Sequence, residues 1–181
     1  MKDVTIIIPT HNRHDYLSRL FSYYSGSKLR ILCCDSSAHS YRYFIPCNIK
    51  YVHMPGFSFV DKMCAAIQNI DTKFIACCAD DDFILKKSIL EGVDFLNKEM
   101  EYSALVGRYV GFLKNFNGSF YGMYNKNSYV PSKIPIENAI NFMGSYHMIL
   151  WGLYRKEFLL ESYSILSYSN FDNDNYIELV I

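Results

Sequence analysis

Three consecutive aspartates, Asp80, Asp81 and Asp82, directly follow an apolar run and are the most chemically suggestive residues of the sequence. Carboxylates a few ångströms apart raise each other's pKa unless a cation compensates their charge. In an extended segment, Asp80 and Asp82 would point to one side and Asp81 to the other. Two converging carboxylates are typical ligands of Mg²⁺ or Mn²⁺, whose remaining positions accept phosphate oxygens. The alternative interpretation is a solvated turn that caps a helix beginning near Lys86.

Two further polar segments follow apolar runs in the same way. The first is Pro-Thr-His-Asn-Arg at residues 9–13, and the second is Asp-Ser-Ser at residues 35–37. In open parallel sheets, ligands bind beyond the carboxyl ends of the strands, near the point where the strand order reverses. The sequence therefore predicts that these two segments and the three aspartates share one rim of a sheet and form a ligand site there.

The segments that must position this site read as an α/β fold. Continuous apolar runs at residues 4–8, 30–34 and 74–79 are typical of strands buried on both faces of a parallel sheet, and a fourth strand is expected at 49–53. Apolar residues at helical spacing predict helices over 15–24 and 58–69. The order strand, helix, strand, strand, helix, strand indicates a Rossmann-like, doubly wound, mostly parallel sheet flanked by helices.

The second half of the chain is less regular. We predict a smaller mixed region built from the following elements: a helix at 88–97, a strand at 102–113, a hairpin within 115–127, a helix at 136–143, a strand at 146–154 and a helix at 155–160. A last amphipathic helix begins near Asp174 and is still incomplete at Ile181, which predicts a truncated chain. The expected organisation is one domain over 1–181, with a ligand-binding half at 1–110 and a second half at 111–181.

Composition narrows the class of protein. Lysine plus arginine and aspartate plus glutamate both number 18, so the net charge is zero and a nucleic-acid binder is not expected. No apolar run approaches the length of about 18 residues that a membrane-spanning helix needs. No signal peptide is recognisable either, so we expect a cytoplasmic protein, with peripheral attachment at the inner membrane face as an alternative. The doublets Cys33-Cys34 and Cys77-Cys78 are expected to be buried, reduced and structural.

Three stretches, VTIIIPTHNR, ILCCDSS and DKMCAAIQNIDTKFIACCADDDFI, resemble the nucleotide-binding half of family 2 glycosyltransferases. Those enzymes have the GT-A fold, a Rossmann-like sheet that carries an Asp-x-Asp motif. The resemblance covers about the first 110 residues well and the remainder loosely. It implies Mn²⁺ or Mg²⁺ as cofactor, and a nucleotide-sugar donor and a sugar or glycan acceptor as partners.

The resemblance also implies roles for individual residues. The nucleotide-binding candidates are Pro9, Thr10, Arg13, Asp35, Lys62, Asp80 and Asp81. Among them, Asp35 would accept a hydrogen bond from the base, typically from uracil N3–H, and Asp80 would lie near the ribose. The metal candidates are Asp82 and Asp80. Each role has a structural alternative: Asp35 forming a turn with its serines, Lys62 being a solvated helix residue, and Arg13 lying in a surface loop.

The catalytic base is expected in the second half of the chain. In the inverting relatives it is a carboxylate, often in a Glu-Asp pair that opens a helix. Asp174 resembles the aspartate of that motif best and Asp172 is second, although no glutamate precedes Asp174. Aspartate at a helix start is also an ordinary cap. His147 is expected to be a packing residue, and Trp151 either stacks on a sugar or belongs to the core.

The predicted function is a metal-dependent inverting transfer of a sugar from a nucleoside diphosphate donor, with uridine favoured, to an acceptor hydroxyl in cell-surface polysaccharide or glycan synthesis. A domain that binds a nucleotide sugar without turning it over is the main alternative. A sugar nucleotidyltransferase ranks lower, because such enzymes usually carry a glycine-rich phosphate loop after the first strand, and residues 9–13 contain no glycine.

Overall fold

A computed structural model of the protein describes residues 3–114, 120–124, 132–144 and 149–169. Its elements, in chain order, are β1 (Val4–Thr10), α1 (His14–Tyr24), β2 (Arg30–Asp35), β3 (Ile49–His53), α2 (Phe59–Gln68), β4 (Phe74–Cys77), α3 (Lys86–Lys98), β5 (Ala104–Leu105), β6 (Val110–Lys114), β7 (Phe120–Tyr124), α4 (Pro135–Gly144), β8 (Leu153–Arg155) and α5 (Lys156–Ser169). The described residues form two compact units, the first from within 1–105 and 149–181 and the second from within 106–148.

The first unit is built on a six-stranded sheet in the order β3-β2-β1-β4-β8-β5. Strands β1 to β4 are mutually parallel, whereas β8 runs antiparallel to both β4 and β5. The chain moves outward from β1 through β2 to β3 and then returns to the other side of β1 as β4. The strand order therefore reverses between β1 and β4, and their carboxyl ends mark the place where such sheets bind ligands.

Two apolar layers cover the sheet, which explains why its strands are continuously apolar. Every residue of β1 is buried. Its Ile6 and Ile8 pack in a cluster with α1 and α3, while Ile7 packs in a cluster with α2 and α5. Alternate residues of a strand face opposite sides of the sheet, so a strand covered on both sides has no polar positions. The predicted doubly wound α/β architecture is thus confirmed.

The cysteine doublets obey the same alternation. Cys33 and Cys78 lie in the cluster with α1 and α3, and Cys34 and Cys77 lie in the opposite one. All four are buried and free, as predicted. Burial raises the pKa of the Cys34 and Cys77 thiols to about 12, which leaves them protonated and unreactive as nucleophiles near neutral pH.

The predictions for the second half need correction. Residues 102–113 do not form one strand, because β5 pairs with β8 in the large sheet and β6 pairs with β7 in a separate two-stranded sheet. The predicted hairpin exists, but β6 is its first strand and residues 115–119 lie outside the described part of the chain. The exposed segment 106–108, which contains Gly107, lies between β5 and β6 and is not part of a strand.

Of the strand predicted at residues 146–154, residues 146–148 lie outside the described part of the chain, 149–152 are not strand, and β8 (Leu153–Arg155) pairs with β4. Just before it, a Cβ atom at Gly152 would lie 3.0 Å from the backbone oxygen of Leu105 and 3.1 Å from that of Ile149. This close backbone approach explains the glycine at this position. The helix predicted at 155–160 is longer than expected, since α5 extends to Ser169.

Candidate active site

The ends of β1 and β4 are joined by a buried hydrogen bond at the point where the strand order reverses. Thr10 Oγ1 donates to Asp80 Oδ2 over 2.7 Å, and the two residues are only 3% and 4% exposed. Burial raises the pKa of Asp80, while the hydrogen bond from Thr10 and the charge of Arg13 act in the opposite direction. Asp80 is therefore a fixed carboxylate with one oxygen, Oδ2, already occupied by Thr10.

The three aspartates lie on a turn, which we call the acidic turn (residues 80–82). The Asp82 backbone N–H donates to Ala79 O over 3.3 Å and reverses the chain. The segment is therefore a turn and not the extended stretch from which the shared direction of Asp80 and Asp82 was expected. Instead, Asp80 and Asp81 both face Arg13. The Asp82 side chain is exposed and forms no hydrogen bond or ion pair with another described residue.

Arg13 joins the two carboxylates through two different nitrogens. Its Nε lies 3.3 Å from Asp80 Oδ1, and its Nη2 lies 2.6 Å from Asp81 Oδ2. The pKa of Arg13 is raised, chiefly by the hydrogen bond to Asp81. The guanidinium stacks on the ring of Tyr16, 4.4 Å from its centroid, and its side chain is 42% exposed. Arg13 is thus a direct partner of the acidic turn and not an unattached loop residue.

A second arginine, which the sequence analysis missed, supports the same turn. Arg19 Nη2 donates to the backbone oxygen of Asp81 over 2.8 Å, and its guanidinium lies over the Phe83 ring, 5.0 Å from the centroid. Arg13 precedes the first residue of α1 and Arg19 lies in the second turn of that helix, and both contact the segment of the three aspartates at the same sheet edge. That shared edge was the signal that would have found Arg19.

The Lys62 side chain reaches the carboxyl end of β1 from helix α2. Its side chain is buried on the inner face of α2, and its Nζ donates to Thr10 O over 2.7 Å. The interpretation of Lys62 as a solvated helix residue is therefore wrong. Burial lowers the pKa of its ammonium group, and the negative charges of Asp35 and Asp80 act against that shift. Lys62 fixes the end of β1 and places a positive charge beneath two carboxylates.

Asp35, at the end of β2, is saturated by hydrogen bonds. Its Oδ1 accepts from the backbone N–H of Ser37 over 2.8 Å and from the Ser37 hydroxyl. Its Oδ2 accepts from Tyr51 Oη over 2.6 Å and lies 2.7 Å from His14 Nε2. Burial alone would raise the pKa of Asp35, but these hydrogen bonds lower it. A carboxylate has about four acceptor positions, so none is left for a ligand in this arrangement.

The predicted turn of Asp35 with its serines is present, and the donors His14 and Tyr51 were not predicted. His14 begins α1, and Tyr51 lies on β3, two residues before His53, the register partner of Asp35; both reach Asp35 only through the tertiary fold. His14 lines two open cavities, one of about 400 Å³ with Arg42 and Tyr43, and one of about 280 Å³ with Asn12 and Ser37; His39 lines both as well. His14 thus stands between Asp35 and the space a ligand would occupy.

The loop between β1 and α1 holds its shape without glycine. Asn12 adopts a φ of 55°, in the left-handed region that asparagine tolerates better than most residues. Its backbone N–H donates to Ser37 Oγ over 2.7 Å, and His11 Nδ1 lies 3.0 Å from Ser36 Oγ. Pro9 is buried within β1, next to Thr10. The segments that follow β1 and β2 therefore contact each other directly, as their predicted positions on one rim required.

Four further residues were singled out from the sequence: Asp172, Asp174, His147 and Trp151. Asp172, Asp174 and His147 lie outside the described residues. Trp151 is half-buried and packs against the cluster of α2 and α5, with its ring 6.4 Å from that of Phe59. Of the two roles considered for Trp151, this packing favours the core.

The carboxylates of the acidic turn suit a cation that a ligand helps to hold. Among residues 3–114, 120–124, 132–144 and 149–169, no group of three or more His, Cys, Asp or Glu side chains is arranged to bind a metal ion. Asp80 and Asp81 nevertheless converge on one positive group, the guanidinium of Arg13. Mg²⁺ is usually bound by one or two carboxylates together with phosphate oxygens and water, and this donor set fits that pattern.

Comparison with known proteins agrees with this architecture. The structure resembles TarS from S. aureus (residues 1–349) with a TM-score of 0.53 and 16% identity, over 89% of this chain and 49% of TarS. It resembles the same protein in complex with UDP-GlcNAc with a TM-score of 0.54 and 17% identity, over 89% and 47% of the two chains. This chain therefore spans about half the length of that relative. These similarities concern the fold, which is the GT-A fold.

Two further comparisons carry no argument about this chain. A mannosyltransferase from Pyrobaculum calidifontis, solved with GDP-Man and Mn²⁺, gives a TM-score of only 0.43 at 16% identity, over 56% of this chain and 34% of that one. No curated protein sequence matches the chain significantly.

No helix within the described residues has the length and apolar character to span a membrane.

The sequence itself matches the profile of glycosyl transferase family 2 over residues 5–156, which is most of its length and includes β1, the acidic turn and β8. The matched range contains all the segments that build the rim described above. The chain belongs to glycosyl transferase family 2.

Proposed function

We propose that the protein transfers a sugar from a nucleoside diphosphate donor to an acceptor hydroxyl. The observation that carries this proposal is the acidic turn, placed by the buried Thr10–Asp80 hydrogen bond where the strand order of the sheet reverses. Three carboxylates, two guanidinium groups and the buried Lys62 ammonium surround this point. Such a mixture of charges suits a ligand that carries both phosphates and a bound cation.

The cation would be Mn²⁺ or Mg²⁺, held by Asp82 and Asp80. Asp82 is suited to this role because its exposed carboxylate has no partner among the described residues, whereas Asp81 is paired with Arg13. When bound, the cation would stabilise the negative charge that grows on the departing nucleoside diphosphate. Asp80 and Asp81 would face the nucleotide from the end of β4, and Pro9, Thr10 and Arg13 from the end of β1.

The base of the nucleotide would enter on the β2 side of the rim. For Asp35 to accept a hydrogen bond from an N–H of the base, one of its present donors must move. His14 is the best candidate, because its side chain is 26% exposed and borders both cavities, whereas Ser37 is buried. UDP-sugars are the favoured donors, and the similarity to TarS bound to UDP-GlcNAc supports that choice.

Transfer also requires a group that removes the proton of the acceptor hydroxyl as its oxygen attacks the anomeric carbon. Asp174, with Asp172 second, is our candidate for this base. Attack on the face opposite the leaving diphosphate would invert the configuration at that carbon. We place the reaction in cell-surface polysaccharide or glycan synthesis, in the cytoplasm or at the inner membrane face.

A domain that binds a nucleotide sugar but does not turn it over is the second candidate. It is favoured by one observation, the absence of a glutamate before Asp174. A nucleotidyltransferase is disfavoured, because the β1–α1 loop is glycine-free and is held by contacts with the side-chain oxygens of Ser37, which accepts from the Asn12 N–H, and of Ser36, which lies beside His11. Turnover of a bound donor in the presence of acceptor distinguishes transfer from binding alone.

The proposal is tested by calorimetric titration of UDP, GDP, CDP and ADP, each with Mn²⁺ and again with a chelator. We expect one nucleotide, UDP, to bind tightly and only with the metal. Asp82→Asn should reduce that binding by roughly 100-fold, while Glu91→Gln, an equal loss of charge on the outer face of α3, should leave it unchanged. Absence of nucleotide binding under every condition, or normal binding by Asp82→Asn, would contradict the proposal.

A further inference from the structure

The two oxygens of Asp80 have different partners, and this difference has a consequence for cation binding. Oδ2 accepts the buried hydrogen bond from Thr10, so it is committed to holding β1 and β4 together. Oδ1 is the oxygen left for a cation, and it faces Arg13 Nε at 3.3 Å. A divalent ion that binds Asp80 through Oδ1 therefore meets the Arg13 guanidinium there and competes with it.

We propose that Arg13 is an internal counterion of the acidic turn, which a divalent cation displaces and which then becomes a ligand for the donor's phosphates. This inference rests on the proposed function for its second step only. The first step concerns the cation and the protein alone. The Arg13 side chain is 42% exposed, and its ion pairs and ring contact are with Asp80, Asp81 and Tyr16, so it can leave the turn without opening the apolar core.

Electrostatics favour this exchange in one direction. Arg13 and a divalent ion held by Asp80 and Asp82 would share the Asp80 carboxylate and repel each other there, and the carboxylates bind the doubly charged ion more strongly. Once released, the guanidinium remains tethered within reach of the site and matches a phosphate with two parallel N–H donors. Arg19 stays behind, because it binds the backbone oxygen of Asp81 and not a carboxylate. The turn therefore keeps its shape while its counterion changes.

The consequence is a coupling between cation and donor. Without donor, Arg13 competes with the cation and weakens its binding. With donor present, the displaced arginine gains new partners, so the cation and the nucleotide strengthen each other's binding by the same factor. This arrangement keeps the acidic turn neutralised in the free protein and makes it a metal site chiefly when a phosphorylated ligand arrives.

The test measures Mn²⁺ binding without nucleotide, by electron paramagnetic resonance of free Mn²⁺, in wild type, Arg13→Gln and Arg19→Gln. Removing the competitor should tighten Mn²⁺ binding in Arg13→Gln by roughly three- to tenfold, the range expected when a partly exposed ion pair no longer competes. Arg19→Gln removes the same charge nearby and should change the affinity less. Thermal melting of the two variants checks that both fold.

A second titration examines the donor step. At saturating Mn²⁺, Arg13→Gln should bind UDP about tenfold more weakly than wild type, and Arg13→Lys, which keeps the charge without the fork, should lie between them. Equal or weaker Mn²⁺ binding by Arg13→Gln in the first titration would overturn the inference. Failure of wild type to bind any nucleotide would instead remove the proposed function, and the competition between Arg13 and Mn²⁺ would still be decided by the first titration.

Discussion

The rim of the sheet has two acidic regions that are built in opposite ways. At the end of β2, Asp35 is fully buried, its four acceptor positions are filled by hydrogen bonds, and its pKa is lowered. At the end of β4, Asp80 has one hydrogen bond and a partly exposed counterion, Arg13, and its pKa is raised. Two carboxylates on neighbouring parts of one rim thus have pKa values shifted in opposite directions.

The difference shows what each region is suited to do. Hydrogen bonds from Ser37 and Tyr51 fix the Asp35 carboxylate in one position, so it serves as a rigid part of the fold that a ligand can reach only by replacing a donor. The acidic turn depends on charge for its neutralisation, and an arginine can be exchanged for another cation without breaking a hydrogen-bond network. The β2 end is therefore preorganised, whereas the β4 end is exchangeable.

The largest expected effect concerns neither acidic region of the rim. If both regions only bind the donor, a base from elsewhere in the chain must activate the acceptor. Asp174→Ala should then lower the rate of sugar transfer by roughly 10²- to 10⁴-fold with donor binding unchanged. Transfer is measured with a radiolabelled donor, and donor affinity by calorimetry. Asp172→Ala is the matched control and should reduce the rate less. Normal turnover by Asp174→Ala would contradict the assignment of the base and leave the carboxylates of the two acidic regions as the candidates for it.

The sequence was sufficient to predict the frame of the site. The runs within β1, β2 and β4 are apolar because both faces of these strands are covered, and this pattern can be recognised from the sequence alone, whereas the edge strand β3 carries Lys50 and His53 and is only partly buried. Their polar ends then had to meet at one rim. The short strands β5 and β8, in contrast, span two and three residues and pair antiparallel with distant partners, so no local periodicity reveals them.

The details of the site depend on contacts between residues far apart in the chain. The directions of the Asp80 and Asp81 carboxylates follow from the turn at 79–82 and from Arg13, which lies 68 residues before Asp81. The saturation of Asp35 depends on His14 and Tyr51, which come from two other elements. Sequence spacing identifies which residues reach the rim but not which oxygen of a carboxylate remains available.

The preorganised region should show a large cost in stability. Asp35→Asn should lower the free energy of unfolding by about 2 to 4 kcal/mol at pH 7, because the new amide NH₂ group faces donors and leaves buried groups unsatisfied. Urea unfolding measures this cost, and Asp15→Asn, an exposed aspartate at the start of α1, should change stability by less than about 0.5 kcal/mol. A negligible cost at Asp35 would mean that its hydrogen bonds do not hold the rim.

The stability of wild type and of Asp35→Asn should also depend on pH in different ways. The folded pKa of Asp35 lies below the ordinary value of 3.8, so the unfolded state takes up this proton first as the pH falls. The stabilisation is therefore fully present well above pH 3.8 and is lost as the pH falls through that value towards the folded pKa. The difference in stability between wild type and Asp35→Asn should accordingly shrink in acid. A difference that grows on acidification would contradict the lowered pKa.

The exchangeable region should show the smallest effect. Thr10→Val keeps the shape of the side chain and removes the hydrogen bond to Asp80, which should cost about 1 kcal/mol in urea unfolding, the usual value of a single bond of this kind. Thr10→Ser keeps the hydroxyl and should preserve that bond. The cost should stay below that of Asp35→Asn, because Asp80 loses one hydrogen bond and still has Arg13 as a partner, whereas Asp35 loses a complete network. Equal costs at the two positions would mean that the β4 end is as rigidly built as the β2 end. Displacement of Arg13 from the acidic turn would then lower the stability of the protein, which the exposed position of Arg13 does not suggest.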